Sequence, residues 1–169
     1  MSTGDVGFYG KYRGLVTNTR DPENRGRIQA KVPGIYGDTL SPWALPCLPF
    51  GGGDLGLFVL PPEGSNVWIE FEGGNLEYPI WSGCFWQSNG DMPQELQPAP
   101  EQKVLLKTPG GHMLLLDDSP GMGGVTLQAS GGQKIVINDQ EIEISNGEGS
   151  TIRLLGMQVM VNNKELGAS

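Results

Sequence analysis

An all-β chain is what this sequence predicts, and three observations carry the prediction. The 27 glycines and 13 prolines in 169 residues interrupt almost every candidate helix, so no window of a dozen residues sustains a period of 3.6. Over residues 113–161 apolar and polar residues alternate in short runs divided by Gly, Asn, Asp and Ser. Over residues 10–86 a second series of short runs is divided by turn-forming residues and holds all four tryptophans.

The first strand is residues 12–17, and the chain then turns through Asn18-Thr-Arg-Asp-Pro-Glu-Asn24, rich in Asx side chains with Pro22 among them. Residues 25–32 follow, with Ile28, Ala30 and Val32 on one face and Arg27, Gln29 and Lys31 on the other. Pro33-Gly34 suits a type II turn. Val67, Ile69 and Phe71 alternate with Trp68 and Glu70, Gly73-Gly74-Asn75 turns the chain, and residues 79–84 supply the last strand. Short strands with glycine at their corners predict a small barrel, since closure removes exposed edges. An OB-like five-stranded barrel fits first and an SH3-like barrel second.

Residues 89–102 carry Pro93, Pro98 and Pro100 among Gln, Glu and Ala, and read as a semi-rigid connector. The chain therefore divides into a barrel over 1–88, a Pro-rich linker over 89–102 and a strand stack over 103–169. Strands 125–127, 134–137, 141–144, 151–154 and 158–161 send Ile142 and Ile144 to one face and Glu141 and Glu143 to the other. One apolar row per short strand cannot close a core, so the stack needs copies of itself or a partner. The rows expected to bury on assembly are Ile135, Ile137, Ile142, Ile144, Ile152, Leu154, Val159 and Val161. Full burial of such a set is worth roughly 12–24 kcal/mol gross per protomer. At about 4.8 Å per layer, five layers give a stubby needle.

Charge and chemistry narrow the function. The net charge is −8, so a trimer would carry three times that, −24, which opposes nucleic-acid binding. Lys11, Arg13, Arg20, Arg25, Arg27 and Lys31 do cluster, but Asp5, Asp21 and Glu23 lie among them. Cys47 and Cys84 sit in apolar contexts and read as small buried hydrophobes, which fits a reduced, cytoplasmic site of synthesis. The N-terminal residues lack the pattern of a signal peptide. Gly51-Gly-Gly53 lacks the Lys and the strand-to-helix setting of a phosphate loop. His112, with Asp117 and Asp118 nearby in sequence, and the pair Glu70 and Glu72 are the candidates for catalysis, and each has a plainer reading as a strand residue. No catalytic, cofactor or metal residue is expected.

The order of motifs resembles the phage baseplate central spike family, which includes the T4-type tail spike, the baseplate assembly protein V group and VgrG-like spikes. The resemblance rests on Asn24-Arg-Gly-Arg-Ile-Gln-Ala-Lys-Val-Pro-Gly34, Ser41-Pro-Trp-Ala-Leu-Pro46, Gly51-Gly-Gly53, residues 60–74 beginning Leu-Pro-Pro-Glu-Gly, and Tyr78-Pro-Ile-Trp-Ser-Gly83. Its barrel motif comprises Arg27, Pro33, Gly34, Trp43, Pro46, Pro62, Gly64, Trp68, Gly73, Gly74, Trp81 and Gly83. Lys107-Thr-Pro-Gly-Gly-His112 and the residues up to Asp118 resemble the start of the family's trimeric prism, and residues 135–161 resemble its repeats. The resemblance implies an OB-like barrel followed by a short trimeric intertwined β-prism (a triple-stranded β-helix), in a short version without a lysozyme domain. It implies a structural, non-enzymatic spike of a virion tail baseplate or related contractile injection system. Its expected partners are two further copies, a hub or tail-tube protein at the barrel end, a PAAR-like tip protein at the C-terminal end, and transiently the target envelope. Two alternatives stay open on the residues alone. One is a monomeric OB-fold module that binds oligosaccharide or single-stranded nucleic acid on its aromatic residues. The other is a small cell-wall hydrolase using Glu70, Glu72 or His112.

Overall fold

The computed structural model of the chain describes residues 7–121 and 123–166. Asp5 and the last three residues of the expected C-terminal tail lie outside that set. The chain divides into two compact units, with the break between Asp91 and Met92.

In chain order the first unit holds β1 (Tyr12–Asn18), β2 (Gln29–Lys31), a one-turn helix α1 (Pro33–Tyr36), β3 (Leu45–Pro46), β4 (Gly51–Gly52), β5 (Leu55–Gly56), β6 (Asn66–Phe71) and β7 (Pro79–Cys84). Five of the strands bond in the order β2-β1-β6-β7-β3. Ile28 and Ala44 exchange backbone bonds of 3.1 and 2.8 Å beside the two outer strands, which closes the sheet on itself. Alternation fills the interior: Val16, Ile28, Ala30, Val32, Ala44, Val67, Ile69, Phe71 and Trp81 form one buried cluster. Tyr12 and Tyr36 pack on Phe71 with ring centroids 5.4 and 6.1 Å away. Burial pushes the Tyr36 hydroxyl up to about 12, with Glu77 adding to it, and the hydroxyl donates to Leu76 O at 2.6 Å. Gly14 occupies an inward position of β1 because a Cβ there would lie 2.9 Å from Ile69.

Two local expectations change. Pro33-Gly34 does not form a type II turn but opens α1, where the missing proline N–H leaves no helical bond unmade. Cys47 and Cys84 are exposed rather than buried.

The second unit holds β8 (Lys103–Lys107), β9 (Met113–Asp117), β10 (Gly124–Gln128), β11 (Lys134–Ile137), β12 (Glu141–Ser145), β13 (Thr151–Leu155), β14 (Gln158–Val161) and β15 (Lys164–Glu165). They form one antiparallel meander in which each strand pairs with its neighbours in sequence. The described residues of this unit thus form eight strands where the sequence predicts five. In β8 and β9 leucines stand at consecutive positions and mask the period of two. β15 folds back on β14 across Asn162 and Asn163, both at positive φ, where the reading has only a polar tail. Seven strand spacings span roughly 34 Å, a longer reach than five layers give.

Turn chemistry fixes the strand ends. Asn138 Oδ1 accepts the amides of Gln140 and Glu141, and Asn146 Oδ1 those of Glu148 and Ser150. Two successive turns on one side touch: a Cβ on Gly147 would lie 2.8 Å from the Gly132 carbonyl carbon, and Gly147 has φ +77°. Residues 92–102 fold against β8. Lys103 Nζ donates to Glu95 O at 3.0 Å, Lys107 Nζ to Glu95 Oε1 at 2.7 Å, and Leu96 is buried.

Candidate assembly interface

Antiparallel register aligns one face of the second sheet into two apolar columns. Leu106, Leu114, Leu127, Ile135, Ile144, Ile152 and Val161 form one column. Val104, Leu116, Val125, Ile137, Ile142, Leu154 and Val159 form the other. The eight residues expected to bury on assembly therefore lie together, in direct cross-strand pairs. Six more were missed: Val104, Leu106, Leu114, Leu116, Val125 and Leu127. The period of two in residues 125–127 carried a signal for the last pair; in β8 and β9 the flanking leucines hid it.

The burial of this sheet runs opposite to that of an isolated soluble sheet, where the apolar face is covered. Every member of the columns except Val161 is at least 37 % exposed in the single chain, and Val104 reaches 64 %. The charged face is the half-buried one. There Lys103 pairs with Asp117 (3.7 Å), Lys134 with Glu143 (3.3 Å), and Arg153 with Glu141 (2.5 Å) and Glu143 (3.9 Å). The Ser119 hydroxyl and amide, and then Lys103, hold the Asp117 carboxyl below the usual range, and Lys107 does the same for Glu95. The residual exposure of the columns equals nearly six fully exposed aliphatic side chains. Covering it contributes roughly 9–17 kcal/mol gross per protomer. That is less than full burial would give, because neighbours within the sheet already cover about half of each residue.

In the barrel the motif residues have structural work. Arg27 lies at the centre of a buried knot: Asp21 accepts Arg27 Nε (3.0 Å) and Nη2 (2.6 Å), and the amides of Glu23 (3.0 Å), Arg25 (2.8 Å) and Arg27 (3.2 Å). Arg27, ahead of those amides, holds the Asp21 carboxyl far below the ordinary carboxylate range. The sequence places Asp21 in an Asx-rich turn and as a charge among cations, not as the anchor of this knot. Its signal was an Asp opening a turn with three amides ahead of it. Trp43 lies under Arg27, with the guanidinium 5.8 Å from its ring. Trp81 is buried and its Nε1 donates to Gly26 O at 3.1 Å, while Pro46 pairs beside it on β3. Pro62 and Gly64 shape the turn before β6, where Ser65 N bonds to Pro62 O and Gly64 N to Val16 O. Gly73, Gly74 and Gly83 take positive φ, and a Cβ on Gly74 would meet the Phe8 amide at 2.9 Å. Trp68 stacks on Phe85 at 4.6 Å with Arg13 over both rings.

The clustered cations are thus largely engaged: Lys11 by Glu70, Arg13 by rings, Arg25 by Glu23 and Arg27 by Asp21. The catalytic candidates are engaged likewise. Lys11, then Ser82, holds the Glu70 carboxyl below its usual range, and Glu72 lies past the strand end in a 3-10 turn. His112 Nδ1 accepts the Ser130 amide at 3.3 Å and ties one turn to the next, while Asp117 turns to Lys103 and Ser119.

Two family models match the chain. Residues 12–86 match the type VI secretion system/phage-baseplate injector OB domain. Residues 103–167 match the phage baseplate V C-terminal trimerisation domain. No curated protein matches the chain.

Proposed function

Since the chain belongs to the phage baseplate spike family, with an injector OB domain followed by a trimerisation domain and no lysozyme domain between them, we propose that it is the central spike that meets the target envelope. Baseplate spike domains of this kind are structural and the trimerisation domain makes the protein a homotrimer. In the proposed assembly the barrel, residues 1–88, docks on the hub or tail-tube end. The segment 89–102 joins it to the prism, residues 103–169, which points at the envelope and helps puncture it. The two apolar columns line the three-fold axis and the ion-paired face turns to solvent. Folding and trimerisation are then coupled, because the main apolar gain of the second unit appears only on assembly. A PAAR-like tip protein covers the last apolar layer at the C-terminal end, and the chain is made in the bacterial cytoplasm before joining the tail.

The observation that carries this reading is the apolar face itself, thirteen exposed aliphatic side chains in unbroken cross-strand register. Contiguous apolar surface of this extent marks an interface. Sedimentation of the purified chain tests it: the expected mass is three times the 18.1 kDa protomer. A soluble, folded monomer at micromolar concentration would refute it. Binding of that trimer to purified hub rings, lost when residues 1–88 are removed, tests the docking end.

A further inference from the structure

The barrel carries an apolar feature that the trimerisation sheet leaves unexplained. Phe50, Leu55, Leu57, Phe58 and Val59 are each 52–59 % exposed, on and beside the β4–β5 hairpin. Leu57 N bonds to Phe50 O at 3.0 Å, so one closed loop carries Phe50, Leu55 and Leu57, and Phe58 and Val59 follow directly from it. At its tip stands Asp54, in left-handed backbone with φ 55° and the only charged residue between Asp38 and Glu63. By the root of the hairpin lies an open cavity of about 510 Å³, lined by Phe58, Leu60 and Gly26 with Thr19, Arg20, Asn24 and Asp21, whose carboxylate is taken up by Arg27. Arg20 is exposed and, unlike Lys11, Arg13, Arg25 and Arg27, has no ion pair or ring partner among the described residues.

We propose that in the homotrimer each hairpin tip packs into this cavity on the neighbouring copy, Leu55 against Phe58 and Leu60, and Asp54 facing Arg20. Three-fold assembly requires heterologous contacts, in which each copy presents two different surfaces that fit one another. The hairpin tip and the cavity are such a pair, one apolar with an anion and the other part apolar, with its acid Asp21 neutralised by Arg27 and the cation Arg20 left to meet Asp54. The exposed hairpin surface, roughly 500 Å², falls short of the about 800 Å² per partner of a stable interface, so barrels alone do not assemble. Tethering by the trimerisation domain raises the effective concentration of neighbouring barrels to about millimolar, where so small a contact closes. The contact rests on the homotrimer and adds to the spike reading a barrel-to-barrel surface.

The test uses the full chain with the exposed Cys47 and Cys84 changed to Ser. Chains bearing Asp54→Cys and chains bearing Arg20→Cys, with different tags, are co-expressed and treated with a short bis-maleimide. The expected result is a cross-linked pair that joins the two tags, with only traces in trimers of either variant alone. Trimers of intact sedimentation mass without that product would overturn the contact, and so would equal cross-linking in Asp54→Cys trimers alone. A monomeric sedimentation mass would instead overturn the homotrimer on which the contact rests. Independently, Asp54→Arg and Arg20→Asp should each lower the barrel transition seen by tryptophan fluorescence in the trimer. Combining them should restore it, and a double variant no better than the singles would overturn the pairing.

Discussion

Replacing Ile144 by Asp should abolish trimerisation and leave the barrel folded. Ile144 sits in mid-column between Ile135 and Ile152 and is 46 % exposed in the single chain. Completing its burial recovers about half of the 1.5–3 kcal/mol of a fully buried isoleucine, or roughly 2–4 kcal/mol over three copies. Ile144→Ala should therefore weaken the trimer by about that amount and lower its melting temperature by several degrees. Aspartate forfeits the same burial and also brings three carboxylates together near the axis. Dehydrating each costs several kcal/mol, and their mutual repulsion adds to it. The total exceeds about 10 kcal/mol, which lowers the trimerisation constant by roughly seven powers of ten. Sedimentation reads the mass, and tryptophan fluorescence reads the barrel, because all four tryptophans lie in the first unit. Glu143→Ala, on the opposite face, removes partly exposed pairs to Lys134 (3.3 Å) and Arg153 (3.9 Å) and should change stability by only about 1 kcal/mol. A soluble Ile144→Asp trimer of unchanged melting temperature would show that this face does not meet the axis.

Gly147→Ala should destabilise the sheet by about 1–2 kcal/mol per chain, from positive φ and the crowding against Gly132, seen as a lower trimer melting temperature; Gly149→Ala, with open space at its Cβ, isolates the backbone part. Asp21 and Glu70 have folded-state carboxyls held below their unfolded values, so their stabilisation of the barrel is complete above about pH 5 and fades as pH falls through the unfolded values toward the folded ones. Acid titration of tryptophan fluorescence should show this, and Asp21→Asn should lower stability at neutral pH and flatten the acid limb. Trp81→Phe leaves Gly26 O without its donor inside the barrel and should cost about 1–3 kcal/mol in a denaturant melt. A fragment starting at Met92 should trimerise with a higher melting temperature than one starting at Gln102, which lacks Glu95 and Leu96 against β8, while a fragment ending at Gln87 stays monomeric.

What the sequence made legible follows the periodicity. Ile28/Ala30/Val32 and Val67/Ile69/Phe71 alternate cleanly, and both sets line the barrel core. Ile142 and Ile144 against Glu141 and Glu143 gave the two faces of the second sheet for the same reason. β8 and β9 escaped because Val-Leu-Leu and Leu-Leu-Leu runs carry no phase from which to choose a face. Asp21 escaped because its role depends on amides brought round by the turn and on Arg27 six positions on, a geometry no composition displays. The helix at Pro33 escaped because proline followed by glycine serves a tight turn and a first helical turn equally well. The hairpin at residues 51–56 escaped because four glycines around one Asp announce a turn but not the exposed Phe and Leu it holds out.

The meander of the second unit also sets how such a protein can change in length. Every strand there pairs only with the strands before and after it, whereas the barrel joins residues as distant as Gly26 and Trp81. Inserting or deleting one hairpin would leave all other pairings intact and alter the extent by two spacings, about 10 Å. Both columns would lengthen in step, because two strands restore the direction and the face of the chain. The extension of the needle is therefore a quantised, heritable variable that a tandem duplication of some 20 codons can reset without redesigning either end.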